Sequence, residues 1–226
     1  MKEKDNILES ISKGLSNAKD KTNSDSMSAY MKNNFKFYGV KSPERNKILK
    51  PIWSEYKTAI KAEFRPIVQE LWKKDQREYQ MIAMDILAKC KRLTYSDDLP
   101  FIKNLILTKS WWDTVDFLAS TSIGHILKND KAQAVISANS FYDQGELWLQ
   151  RTALLFQLKY KSDTDEVLLY DLIKRTFGSK EFFINKASGW ALRQYSKFNK
   201  DSVRQFINEN QGKMAPLTIR EGSKYL

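Results

Sequence analysis

The sequence has few cysteine, histidine, proline and glycine residues. Its 226 residues include one cysteine, one histidine, five prolines and eight glycines. With one thiol, Cys90, no disulfide framework can form, and the surrounding pattern MIAMDILAKC predicts a small buried residue. With one histidine, His125 in the run SIGHIL, the parts for zinc or catalytic-triad chemistry are missing, so we expect a structural or partly exposed side chain.

Long apolar runs are also missing. The first residues, MKEKDNILESISKGLSNAKDK, are charged and interrupted, so they indicate neither a signal peptide nor a membrane span, and we expect a cytoplasmic protein. The hydrophobic fraction is 42%, which is typical of a soluble chain with a substantial core. Extensive disorder is therefore excluded.

The charge is strongly unbalanced. Lysine and arginine number 38 against 27 acidic residues, a formal net charge of +11, and the sequence pI is about 9.5. This balance favours polyanionic partners, nucleic acid first, although a basic protein with no such partner has the same composition. Charge alone does not separate these two interpretations.

Apolar residues recur at helical spacing in most windows and no strand pattern is present, so the sequence predicts an all-α protein. Residues 1–28 are expected to form an N-terminal helix followed by a polar loop from Thr22 to Ser28. A period of about 35 residues relates six predicted helices, marked by Arg45, Gln80, Val115, Gln150, Asn185 and Arg220. We therefore expect one α-solenoid domain over residues 1–226, with about six helix pairs and a concave groove.

The repeated helices share a stripe of small or apolar residues at positions i, i+3, i+4 and i+7. Four such sets are present: Tyr79, Ile82, Ala83 and Ile86; Thr114, Phe117, Leu118 and Thr121; Leu149, Thr152, Ala153 and Phe156; Ile184, Ala187, Ser188 and Ala191. Each set lies on one helix face, so we expect it to pack against the neighbouring helix.

The opposite face of each repeated helix should meet solvent, yet it carries unusual residues. Its predicted occupants form a column at 35-residue intervals: Arg77 and Met81; Trp112 and Asp116; Leu147 and Arg151; Phe182, Lys186 and Trp190. Four tryptophans are expected in the core: Trp53, Trp72, Trp111 and Trp148. Trp112 and Trp190 instead lie on the helix face opposite the packed stripe. Exposed aromatic residues in a groove are typical of binding surfaces.

The charged residues of this column suggest a reaction as well as binding. Arg151 and Lys186 could be a solvated face or could contact phosphates. Asp116 repels phosphates and therefore needs a chemical reason to be there. An alkylated purine cation leaves its sugar readily, and the resulting oxocarbenium-like sugar is stabilised by an anion and by electron-rich rings. Asp116, Trp112 and Trp190 supply these groups.

Four segments resemble the AlkD-type bacterial DNA alkylation-repair glycosylases over nearly the whole chain: SAYMKNNFKFYGVKSPER, LTKSWWDTVD, LWLQRTALLFQLKYK and SKEFFINKASGWALRQYSK. The resemblance implies a HEAT-like repeat fold whose catalytic cleft contains Trp112, Asp116, Arg151 and Trp190. It also implies excision of N3- and N7-alkylpurines from duplex DNA without base flipping, with no metal or organic cofactor.

The resemblance further implies contacts to the DNA from Tyr30, Lys159, Lys161 and Arg193. We add Lys186 to this set, and we expect Arg151 to hold a phosphate while keeping Asp116 ionised. A monomer is expected, because a single solenoid wraps around its ligand.

Two alternatives differ in class from a repair enzyme. A helical-repeat scaffold could bind DNA or protein without catalysis, but it would have no use for Asp116 in its groove. An RNA-binding repeat protein would show a regular base-reading position in each repeat, and the column here is irregular.

Overall fold

The structure is a computed structural model that describes residues 2–226. All regular secondary structure in these residues is helical, and the only strand-like pairing is an isolated bridge between Lys36 and Gln76. The chain divides into two compact units, Met1–Leu93 and Thr94–Leu226. The all-helical fold class is confirmed, while the assignment of the whole chain to one domain stays a prediction.

The described residues of the first unit form four α-helices: α1 (Lys2–Asn17), α2 (Lys21–Tyr30), α3 (Ser42–Lys73) and α4 (Arg77–Cys90). The buried side chains of Ile7, Ile11 and Leu15 form one stripe of α1, which packs against α3. Helix α3 contains Pro51 and Pro66 and departs from helical geometry at two residues, Tyr56 and Glu63. A proline inside a helix removes a backbone hydrogen bond, which accounts for a kink near Glu63.

The expected loop from Thr22 to Ser28 is wrong, because these residues lie inside α2. The Asp20 carboxylate caps this helix by accepting a hydrogen bond of 2.8 Å from the Asn23 backbone N–H. Gly39 packs against the start of α2, with φ of +90°, and a Cβ at this position would lie 2.0 Å from the Asp20 carbonyl oxygen. The polar composition of α2 concealed a helix that capping and tertiary packing stabilise.

A fully buried carboxylate holds the segment between α2 and α3. Glu78 accepts hydrogen bonds from the backbone N–H groups of Tyr38, Gly39 and Val40 at 3.0, 2.8 and 3.0 Å. The guanidinium of Arg77 lies 3.7 Å from the centre of the Phe35 ring. Arg77 is 0% exposed and lies against Phe35 and Lys36, so its expected place on a solvent-facing wall is wrong.

The second unit contains nine α-helices and a π-helix. The α-helices are α5 (Leu99–Leu107), α6 (Trp112–Phe117), α7 (Gly124–Leu127), α8 (Lys131–Asp143), α9 (Leu147–Leu155), α10 (Glu166–Lys174), α11 (Phe182–Tyr195), α12 (Lys200–Asn210) and α13 (Pro216–Gly222). The π-helix, Leu118–Ile123, joins α6 to α7. Helix α9 packs against α6, α8 and α11, and α11 packs against α13.

The 35-residue period is confirmed by the positions at which helices begin. The helices α3, α4, α6, α9 and α11 start at Ser42, Arg77, Trp112, Leu147 and Phe182, successive residues being 35 apart. Of the other members of the pairs, α5, α8 and α10 lie between these helices, and α12 lies between α11 and α13. This regularity is the sequence signature of a helical-repeat fold.

The predicted core stripes are buried in α4, α9 and α11, as expected. The stripe that starts in α6 departs from the prediction, because Phe117 and Thr121 are only half-buried. The π-helix that follows α6 has more residues per turn than an α-helix, so the α-helical phase no longer identifies the buried face there. Trp53 and Trp111, which were also expected in the core, are half-buried, whereas Trp72 and Trp148 belong to the core.

Cys90 is buried, as expected, and burial raises the pKa of its thiol to about 11. Among residues 2–226, no helix is both long enough and apolar enough to cross a membrane. The same residues include no cluster of three or more histidine, cysteine or acidic side chains arranged to hold a metal ion.

Candidate active site

Two adjacent tryptophans at the start of α6, Trp111 and Trp112, are both half-buried. Trp111 belongs to an aromatic cluster, with its ring 5.7 Å from that of Trp148 and 5.3 Å from that of Phe183. Trp112, the first residue of α6, is half-buried, and Asp116 follows it by four residues on the same helix face. Lys109 adopts a left-handed conformation, with φ of +51°, in the turn that leads into this helix.

Asp116 and Arg151 form a bidentate ion pair. Arg151 Nε donates to Asp116 Oδ1 at 2.7 Å, and Arg151 Nη2 donates to Asp116 Oδ2 at 2.9 Å. The side chain of Arg151 is 4% exposed, whereas that of Asp116 is 14% exposed. The planar guanidinium therefore fixes the orientation of the carboxylate and leaves part of it accessible.

The third nitrogen of Arg151 is also used, because Nη1 donates to the carbonyl oxygen of Phe183 at 2.6 Å. The expectation that Arg151 lies on an exposed wall is therefore wrong, whereas its expected contact with a phosphate stays a prediction. Its guanidinium lies beneath the surface and joins α6, α9 and the first turn of α11. Its hydrogen bonds fix the position of the Asp116 carboxylate.

The pKa of Asp116 reflects two opposing effects. Burial raises the pKa of this carboxyl group above its ordinary value, and the hydrogen bonds and charge of Arg151 counteract the rise. Asp113, on the same helix, adds a smaller upward effect. The ion pair thus stabilises the anionic form of a carboxylate that has lost most of its contact with water.

The π-helix begins two residues after Asp116. Ser120 Oγ donates to the carbonyl oxygen of Asp116 at 2.8 Å, and the N–H of Gly124 donates to the carbonyl of Ala119. Gly124 packs closely on the next repeat, since a Cβ there would lie 2.4 Å from the carbonyl oxygen of Phe156. Single π-turns inside α-helices are frequent at functional sites.

Helix α11 carries four of the residues of interest at i, i+3, i+4 and i+7: Lys186, Gly189, Trp190 and Arg193. This spacing places them on one stripe of the helix. Trp190 is half-buried, about two turns beyond Phe183. The structure thus places Trp190 on a helix that packs against α9, the helix of Arg151.

Lys186 and Arg193 do not stand alone on this stripe. Lys186 Nζ lies 2.7 Å from Glu221 Oε1, and Arg193 Nη1 lies 2.8 Å from Glu221 Oε2. Lys224 contacts both oxygens of the same carboxylate, at 3.1 and 3.0 Å. Glu221 is 3% exposed, and Lys186, the largest contributor, together with Lys224 lowers its pKa to about 2.

The remaining basic and aromatic residues of the predicted site lie at the surface. Lys159 donates to Thr121 Oγ1 at 2.5 Å and is exposed. Lys161 is exposed and adopts a left-handed conformation, with φ of +60°. Tyr30, in the first unit, is 69% exposed at the end of α2. Their roles as DNA contacts stay predictions.

The sequence interpretation missed the residues that organise this site: Phe183, Glu221 and Lys224. The 35-residue period contains the signal for one of them. Glu221 follows Lys186 by the same interval that separates Asp116 from Arg151. The column could therefore have been continued into the last helix, where it reaches a carboxylate.

The comparisons with known proteins agree on one assignment. The family model described as "DNA alkylation repair enzyme" matches residues 11–226. A solved structure, described as "Predicted DNA alkylation repair enzyme from Enterococcus faecalis", is 34% identical, with a TM-score of 0.84. The similarity covers 92% of this chain and 96% of that one. No curated protein matches the sequence.

Proposed function

Because this chain belongs to the DNA alkylation repair enzyme family, we propose that it is a DNA glycosylase for positively charged N3- and N7-alkylated purines in duplex DNA. It hydrolyses the N-glycosidic bond in base excision repair. The observation that carries this proposal is the Asp116 carboxylate, which is 14% exposed and is oriented by two hydrogen bonds from a buried Arg151. A net charge of +11 favours binding to the DNA backbone.

The substrate activates its own leaving group. An alkyl group on N3 or N7 gives the purine a positive charge, so the base can depart without protonation by a strong acid. As the bond from C1′ breaks, its electron pair passes to the purine nitrogen and neutralises the base. Positive charge then develops on the deoxyribose, and this charge is what the protein has to stabilise.

Asp116 supplies the anion for this step. Each of its oxygens accepts one hydrogen bond from Arg151, so lone pairs remain for interaction with the sugar or with the attacking water. Water adds to C1′ and releases a proton, which gives the abasic sugar and the free alkylpurine. A fixed carboxylate in a water-poor site stabilises developing positive charge better than solvent does.

Arg151 contributes to catalysis through Asp116. Its three hydrogen bonds to Asp116 and to the Phe183 carbonyl hold the carboxylate in one orientation. Its positive charge also opposes the rise in the Asp116 pKa that burial causes. The carboxylate is thus kept in the ionised form that the mechanism requires.

Trp112 and Trp190 supply the aromatic part of the site. Both are half-buried, so each retains accessible ring surface. Indole is the aromatic side chain that interacts most strongly with a cation, and the sugar is cationic only near the transition state. These rings therefore favour the transition state over the bound DNA.

We propose that the damaged base stays in the duplex. Asp116 and Trp112 lie on one face of α6, and each keeps part of its surface accessible. A surface site of this kind reaches the sugar from the backbone side, so the mechanism requires neither a base pocket nor a cofactor.

The test is direct. Purified protein is incubated with methylated duplex DNA, and released 7-methylguanine and 3-methyladenine are measured by chromatography, with binding to the same DNA measured in parallel. Release of free base with an intact phosphodiester backbone is the expected result. Binding without release would contradict the proposal and would favour a scaffold that binds DNA without catalysis.

A further inference from the structure

The cluster around Glu221 contains more positive charge than it neutralises. Three cations, Lys186, Arg193 and Lys224, contact one carboxylate, which leaves a local charge of +2. The Asp116–Arg151 pair, by contrast, is neutral. An uncompensated cluster that is partly removed from water favours an anionic ligand.

The arrangement of the four side chains separates the anion from the cations. The Glu221 side chain is 4% exposed, whereas those of Lys186, Arg193 and Lys224 are 36%, 21% and 45% exposed. The carboxylate therefore lies beneath the cations, and the cations reach solvent above it. An anion that approaches from solvent meets the cations first.

Close packing of two helices produces this arrangement. A Cβ at Gly189 would lie 2.6 Å from the Glu221 Cβ, so the missing side chain allows α13 to approach α11. Thr218 Oγ1 donates to the Asn185 carbonyl at 3.0 Å and holds the two helices together. Glu221 therefore lies beside Gly189, and Trp190 is the next residue of α11.

We propose that Glu221 positions Lys186, Arg193 and Lys224 as a single binding site for one phosphate of the DNA backbone, beside Trp190. This inference rests on the proposed function and extends it to two residues, Glu221 and Lys224. The phosphate is one that flanks the damaged nucleotide, since the site shares a helix stripe with Trp190. Such a contact sets the register of the DNA without reading its sequence.

The test distinguishes a positioning role of Glu221 from a purely electrostatic one, because the two roles predict opposite changes in DNA affinity. Glu221→Gln makes the protein more positive, so a purely electrostatic role predicts tighter binding to DNA. Loss of positioning predicts the opposite. We expect affinity for an unmodified duplex to fall about fivefold to tenfold at about 0.1 M salt, and the salt slope to decrease by about 0.9, the value for one phosphate contact.

The matched control is Asp171→Asn, which adds the same charge at an exposed carboxylate on α10. It should leave affinity unchanged or slightly higher. If Glu221→Gln binds as tightly as this control, or more tightly, the positioning role is overturned. Thermal unfolding of both variants shows whether the Glu221 variant remains folded.

A second variant avoids the buried position. Lys224→Gln removes an exposed member of the cluster, and Lys200→Gln removes an exposed lysine on α12. We expect only the former to weaken binding several-fold and to lower the salt slope by about 0.9. Equal slopes for the two variants would overturn the phosphate site.

These measurements use undamaged DNA, so they do not depend on catalysis. If the wild-type protein releases alkylpurines but the cluster variants match their controls, the inference fails alone. If the wild-type protein neither binds duplex DNA nor releases base, the proposed function fails as well.

Discussion

Two carboxylates, the buried Glu78 in the first unit and the half-buried Asp116 in the second, differ in the groups that donate hydrogen bonds to them. Both oxygens of Glu78 are used by three backbone N–H groups of residues 38–40, and the side chain is inaccessible. Asp116 is held by one arginine side chain and keeps 14% of its surface. Glu78 anchors the segment of residues 38–40, whereas Asp116 keeps one side accessible to solvent.

The difference separates a structural carboxylate from a candidate catalytic one. Backbone donors around Glu78 belong to a fixed loop and leave no direction for a ligand. The single guanidinium at Asp116 satisfies one side of the carboxylate and leaves the other side available. Burial by itself therefore does not distinguish the two carboxylates, whereas the accessible side of Asp116 does.

Asp116→Asn should have the largest effect. Loss of the negative charge removes the stabilisation of the sugar cation, and we expect alkylpurine release to fall by about 10²- to 10³-fold. DNA binding should stay the same or become tighter, because repulsion of phosphates is removed. Because the ion pair is also altered, release rates are expressed per folded molecule, measured by circular dichroism.

The matched control for this experiment is again Asp171→Asn, an exposed carboxylate whose loss should leave release unchanged. Full activity of the Asp116 variant would eliminate the mechanism proposed here.

Arg151→Ala should change both stability and pH dependence. A half-buried Asp116 without its partner costs about 3–5 kcal/mol of stability. Asp116 acts as an anion, so activity is lost as the pH falls through its pKa. Burial raises that pKa and Arg151 opposes the rise, so removal of Arg151 moves the acidic limb of the rate profile to higher pH.

The measurement is the pH–rate profile of base release at saturating DNA. Arg204→Ala, a change at an exposed arginine paired with Asp201, should leave the acidic limb in place. An unshifted limb in the Arg151 variant would mean that the profile does not report Asp116.

Glu78→Gln should affect stability without a specific effect on chemistry. An amide cannot accept all three backbone hydrogen bonds, so at least one buried N–H group loses its partner. We expect a decrease of about 1–3 kcal/mol in the free energy of unfolding, measured by urea denaturation. Glu70→Gln, at an exposed carboxylate paired with Lys73, should cost at most about 1 kcal/mol.

Release of alkylpurine per folded molecule should be unchanged in the Glu78 variant. A loss of turnover comparable with that of Asp116→Asn would remove the distinction between the two carboxylates.

Trp190→Phe should have the smallest effect. Phenylalanine keeps an aromatic face but interacts less strongly with a cation, which corresponds to about 0.5–1 kcal/mol and a twofold to fivefold lower rate of release. Trp53→Phe replaces a half-buried tryptophan of α3 and should leave the rate unchanged. Equal rates for the two variants would argue against Trp190 as part of the site.

Much of the fold follows from periodicity. The 35-residue spacing related the repeated helices to one another, because every repeat has to bury the same stripe against its neighbour. Periodicity failed where local backbone geometry departs from the α-helix, as in the π-helix after Asp116. It also missed α2, whose polar residues carry no apolar stripe and whose start depends on the Asp20 cap.

The residues that form the candidate site could be predicted from the sequence, but the burial of each residue could not. Helix phase brought Asp116 and Arg151 into one column, and the structure joins them directly. Phase does not report how closely two helices approach, so it placed Arg151 at the surface when the residue is buried. The distance between helices depends on small residues such as Gly189, whose effect appears only in three dimensions.

The Asp116–Arg151 pair spans two successive repeats, with one residue on α6 and its partner on α9. Duplication of a single repeat within the gene would therefore copy either the aspartate or the arginine, but not the pair. A functional centre of this kind cannot spread along the array as the repeats themselves do. Engineers who graft it onto another helical-repeat protein would have to transfer at least two consecutive repeats and the interface between them.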